Sequence, residues 1–92
     1  MSGHNENIIF SSEEPRSIEE IGDFLIQAGQ KLKSQGFFTL TQDDQKIEVK
    51  PGGATKLELK YEIKKDTKHQ FEIEIEWKEG ETGSAAGKVN ID

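Results

Sequence analysis

From Phe38 to Trp77 apolar and polar side chains take turns with a period of two, which restricts this part of the chain to strands with one dry and one wet face. Phe38 and Leu40 alternate with Thr39 and Thr41, and Ile47 and Val49 with Glu48 and Lys50. Leu57, Leu59, Tyr61 and Ile63 then alternate with Glu58, Lys60, Glu62 and Lys64, and Phe71, Ile73, Ile75 and Trp77 with Glu72, Glu74 and Glu76. Residues directly opposite in a sheet share a face, so parity limits the turns that can join these runs. Pairing Leu40 with Ile47 puts the first turn at Asp43-Asp44 or across Gln42 to Gln45. Pairing Val49 with Leu57 leaves Gly52-Gly53-Ala54 as a loop after Pro51, which has no N–H to offer a ladder. Pairing Tyr61 with Phe71 leaves Lys65-Asp66-Thr67. This last register sets Lys60 opposite Glu72 and Lys56 opposite Glu76, both mildly favourable, and Glu58 unfavourably opposite Glu74.

Before Phe37 the period is helical. Ser17 and Glu20 form a capping box, in which each side chain satisfies a backbone N–H that the first turn leaves without a partner. Ile18, Ile21, Phe24, Leu25, Ala28 and Leu32 then follow one helical face. Glu19, Glu20 and Asp23 near the start and Lys31 and Lys33 near the end complement the helix dipole, and Gly36 suits a left-handed stop. Gly22 and Gly29 lie seven apart, near one side, and suit close packing on a sheet. These features predict an α+β fold: a four-stranded antiparallel meander with one helix packed on its apolar face. The run Ile8 to Phe10 is expected to add a fifth strand at an edge.

Composition narrows the chemistry. The chain has no cysteine, which excludes disulfides, iron–sulfur clusters, thiolate zinc sites and cysteine nucleophiles, and its two histidines supply little for a metal or acid–base centre. A net charge of −6, without a basic patch, argues against nucleic acid and anionic membranes as partners. Nowhere do apolar residues run long enough to span a bilayer, and the start of the chain lacks a basic-then-apolar leader, so a cytoplasmic location is expected.

A short apolar run, a capped helix closing on Gly36-Phe37-Phe38-Thr39-Leu40, a proline-marked turn and the acidic alternating strand Phe71-Glu72-Ile73-Glu74-Ile75-Glu76-Trp77 together resemble the amphi-Trp domain, a small prokaryotic family. The resemblance covers about Ile8 to Glu79, and Trp77 ending an acidic amphipathic strand is its most distinctive element. It implies one compact domain, taken over residues 1–79; residues 80–92, with three glycines and almost no large apolar side chain, read from composition as a flexible Gly-rich tail, a departure from the family that leaves open whether they belong to the domain. The family has no assigned activity, so no catalytic, cofactor or metal residue comes with it.

Individual candidates for chemistry are weak. His69, beside the third turn, reads as an exposed histidine without a role, and His4 lies in a polar end. Asp43-Asp44 lacks the alternating acids of a calcium loop and reads as a turn. Gly83 to Lys88 lacks the first glycine, the Ser or Thr and the helix of a phosphate loop. Tyr61 and Trp77 fall on the apolar face and are expected to be structural. The remaining candidate is the charged face, with Lys60, Glu72, Glu74 and Glu76 as an interaction surface for an unidentified protein partner. The expected function is therefore a non-catalytic, small acidic interaction module without a cofactor. The alternative is a small ligand-binding domain or enzyme with a pocket between helix and sheet near Tyr61 and Trp77. One helix covers about 10 to 12 Å of a sheet about 20 Å wide, but twist lets a diagonal helix span four short strands. A monomer is accordingly expected over a homodimer that would bury a strip around Leu57, Tyr61 and Trp77.

Overall fold

The structure, a computed structural model, describes residues 6–79 and 90–92, and the chain divides into one compact unit up to Val49 and another from Lys50. Most of the expected tail, residues 80–89, lies outside the described residues.

In the first unit α1 spans Ile18–Gln35. Its start is the expected capping box: Glu20 N–H donates to Ser17 Oγ at 3.1 Å, and Ser17 N–H donates to Glu20 Oε1 at 3.0 Å. Arg16 braces this corner through Glu14 at 2.9 Å and Glu20 at 3.4 Å. The helix ends where Gly36 turns left-handed at φ 83° and its N–H reaches back to Leu32 O at 3.0 Å. A side chain at that φ would press Cβ against the following carbonyl, which is why glycine stands there. Gln35 Nε2 then donates to Phe37 O at 3.0 Å, leading the chain into β1 (Phe38–Gln42).

Strand β1 pairs antiparallel with β2 (Gln45–Val49) in the register parity demands, Leu40 opposite Ile47 and Gln42 opposite Gln45. The turn is Asp43-Asp44, with Asp43 at φ 52°, a conformation aspartate tolerates better than most residues. Phe38, Leu40, Ile47 and Val49 are half-buried on one face while Thr39 and Glu48 are exposed on the other. The run Ile8 to Phe10 forms no strand.

The second unit is a long hairpin of β3 (Ala54–Lys64) and β4 (Lys68–Lys78). All eleven residues of each strand pair, from Ala54 opposite Lys78 to Lys64 opposite Lys68, with Tyr61 opposite Phe71 as expected. The connecting Lys65-Asp66-Thr67 turns through two left-handed residues, Lys65 at φ 53° and Asp66 at φ 64°, and closes with Thr67 N–H on Lys64 O at 3.3 Å.

The described strands form two two-stranded sheets, β1 with β2 in the first unit and β3 with β4 in the second. In the second unit Gly53 takes φ 67°, and β3 already begins at Ala54, which the parity argument had left in the loop. No described residue is fully buried: among the large apolar side chains Tyr61 is 63 % exposed and Trp77 38 %.

The two helix ends make separable contributions to stability. Ser17→Ala is expected to cost about 1 kcal/mol through the lost cap, and Gly36→Ala a further ~1 kcal/mol through left-handed strain. The sites sit at opposite ends of an 18-residue helix, so urea denaturation of the double variant is expected to return the sum of the single losses.

Candidate interaction surface

The hairpin sorts its side chains by parity into two faces. One carries Leu57, Leu59, Tyr61, Ile63, Phe71, Ile73, Ile75 and Trp77, and the other carries the lysines and glutamates.

On the charged face the register places Lys56 opposite Glu76, Glu58 opposite Glu74 and Lys60 opposite Glu72. Side chains follow this only in part. Lys56 Nζ bridges Glu76 at 3.4 Å and its strand neighbour Glu58 at 3.5 Å. Lys60 Nζ instead turns along β3 to Glu62 at 3.1 Å, and Lys64 reaches the same carboxylate at 3.3 Å. Glu62 is therefore held below the ordinary carboxylate range, first by its hydrogen bond from Lys60 and then by that from Lys64. Among the described residues neither Glu72 nor Glu74 holds an ion pair.

The like-charged cross-strand pair gathers a third acid. Carboxylate oxygens of Glu58, Glu74 and Glu76 lie within 4.8 Å of one another. Three carboxylates at this spacing favour keeping a proton among them. The hydrogen bond with Glu76, reinforced by the charges of Glu58 and Glu76, pushes Glu74 up to about 7, and the same hydrogen bond from Glu74 holds Glu76 down. An open trough of about 460 Å³ runs beside this group, lined by Glu58, Leu59, Lys60, Glu72 and Glu74. Carboxylates in this number and spacing suit a cationic side chain.

Parity also moves His69, which stands opposite Ile63 and hence on the apolar face. Its Nδ1 is 2.6 Å from Tyr61 Oη, and the two rings stack with centroids 5.9 Å apart. The sequence contained the signal, because His69 has the parity of Phe71, although reading it as a residue of the turn hid it. Tyr61 and Trp77 do not come together. Tyr61 faces Phe71, six residues before Trp77 on β4, a separation of about 20 Å along the strand.

One capped helix and two antiparallel hairpins, the longer amphipathic and ending on a tryptophan, define a small α+β domain. The profile of the Amphi-Trp domain matches residues 4–92, and the chain belongs to that family. The match extends on both sides of the stretch Ile8 to Glu79 that carries the resemblance in sequence. No curated protein and no solved structure matches the chain. Among the described residues no helix is long and apolar enough to cross a membrane.

The carboxylates give stability a two-sided dependence on pH. Glu74 binds its proton more tightly folded than its ordinary value of 4.5 implies, so its contribution is complete below 4.5 and is lost as pH rises through about 7. Glu20, lowered chiefly by the Ser17 backbone N–H, and Glu62 act oppositely: their contributions are present above 4.5 and are lost as pH falls through their lowered values. Carboxyl-carbon NMR is expected to find Glu74 titrating near neutrality at low salt and shifting toward the ordinary range with Glu58→Gln or added salt. Denaturation midpoints are expected to fall between pH 5 and 8 in the parent and to stay level over that range in Glu74→Gln.

Proposed function

We propose that the protein is a non-catalytic interaction module that receives basic side chains of a protein partner on the charged face of its long hairpin. The observation that carries this reading is the convergence of Glu58, Glu74 and Glu76 within 4.8 Å, a grouping that a partner's Lys or Arg would neutralise. Glu72 joins the surface through the trough it shares with Glu74, and Lys60 sets its rim. The net charge of −6 makes nucleic acid an unfavourable partner. Among the described residues the Tyr61–His69 hydrogen bond is the arrangement that favours the alternative, a small-ligand or enzymatic site. The distance between Tyr61 and Trp77 along the hairpin weighs against a single pocket lined by both.

In this reading β1 to β4 make one antiparallel sheet with α1 on its apolar face. A bare two-stranded hairpin is marginal in water, and both α1 and the hairpin carry an apolar face of matching character. Trp77 and Tyr61 are then structural, the chain is a monomer, and it works in the cytoplasm. Trp77→Ala is expected to cost about 3 kcal/mol in chemical denaturation; a loss below about 1 kcal/mol would mean that nothing covers the tryptophan.

Affinity capture from the native host, read by mass spectrometry, tests the function. The parent chain is expected to retain a protein with a basic segment, and the variant Glu72→Gln/Glu74→Gln/Glu76→Gln to lose it. Retention by that variant together with loss in Tyr61→Phe or His69→Gln would transfer the function to the apolar face.

A further inference from the structure

The outer edge of β4 has the properties of a docking strand. Among the described residues of its unit β4 pairs with β3 alone, so every second backbone N–H and C=O along its length points away from that ladder. Such an edge templates another strand unless its side chains select against one.

The charges say which strand. On β4 the charged face shows one sign at three successive positions, Glu72, Glu74 and Glu76, whereas β3 alternates Lys56, Glu58, Lys60, Glu62 and Lys64. A strand laid beside β4 places its same-face residues about 5 Å from these glutamates. On the inner side β3 meets the three with Lys60, Glu58 and Lys56, so the central pairing is Glu on Glu.

A second copy of β4 is a poor occupant. In the antiparallel register that overlaps both strands fully, centred on Ile73, Glu72 meets Glu74 and Lys68 meets Lys78, like against like. A strand with basic residues at alternate positions meets the opposite situation, since each of its cations faces a glutamate while its apolar residues extend the row Phe71, Ile73 and Ile75.

We infer that the edge of β4 captures an extended segment of a partner protein, with Lys or Arg at every second position and apolar residues between, as an added strand of the sheet. This rests on the charged-face reading above and adds the backbone geometry by which the partner binds.

The test uses the full chain, isotopically labelled, and a synthetic peptide in which lysine alternates with valine. Its controls are a glutamate–valine peptide and a lysine–valine peptide interrupted by proline, which cannot continue a ladder. The lysine–valine peptide is expected to slow exchange of alternate β4 amides, those not bonded to β3, by about tenfold or more. The glutamate–valine peptide is expected to leave them unchanged, as is the lysine–valine peptide added to Glu74→Lys/Glu76→Lys. The comparison of the two peptides on the parent chain needs no variant to fold. If the lysine–valine and proline-interrupted peptides both shift the glutamate carboxyl signals and neither slows the amides, strand addition is overturned while the charged-face reading stands. If neither binds, both fall. If the same amides are already protected in the free chain, the edge is occupied and the inference fails; light scattering then tells whether a second copy or the chain itself fills it.

Discussion

Everything on the candidate surface depends on the register of the β3–β4 ladder. Its eleven consecutive pairs leave no bulge, so parity holds from Ala54 to Lys78 and the two faces never exchange residues. A slip of one residue would put Leu57 to Ile63 among the glutamates and lysines. The turn secures the register from one end, with Lys65 and Asp66 both left-handed so that Lys64 meets Lys68. Once that pair is set, Glu58 has to face Glu74 six positions up the ladder.

That forced juxtaposition gives the charged face its character. Hairpins commonly offset opposite charges across strands, and this one does so at Lys56 and Glu76. At the centre it does not, and the neighbouring lysine that might have relieved the crowding, Lys60, is drawn to Glu62 on its own strand. What results is a local excess of carboxylates on a sheet face that is otherwise mixed in sign. These groups are exposed or, at Glu62 and Glu72, half-buried, so water and salt screen each pair and the ion pairs add little to stability. Their importance is for recognition, where a cation brought by a partner enters a group already short of one.

The apolar faces have the opposite problem. The hairpin and α1 each present a row of large side chains, and each unit alone is too thin to cover its own row. The family match over residues 4–92 spans both units. The Tyr61–His69 hydrogen bond lies at the turn end of the hairpin's apolar face, where the ladder pairs Tyr61 with Phe71 and Ile63 with His69.

The sequence by itself determined the elements whose causes are local. Ser17 and Glu20 are three residues apart and can satisfy each other only at a helix start, Gly36 is tolerant of a backbone that other residues resist, and alternation with parity leaves one register for each of two hairpins. Lys60, Glu72, Glu74 and Glu76 were legible as one face for the same reason. Which partner each long side chain chose was not legible, because Lys60 has Glu62 and Glu72 at similar reach and flexible chains decide between them by small differences in three dimensions. Parity already set Glu58 opposite Glu74 and His69 on the face of Tyr61, but only the three-dimensional structure brought the Glu76 carboxylate within 4.8 Å of the other two and closed Tyr61 on His69, because the rotamers of exposed side chains are not encoded in periodicity.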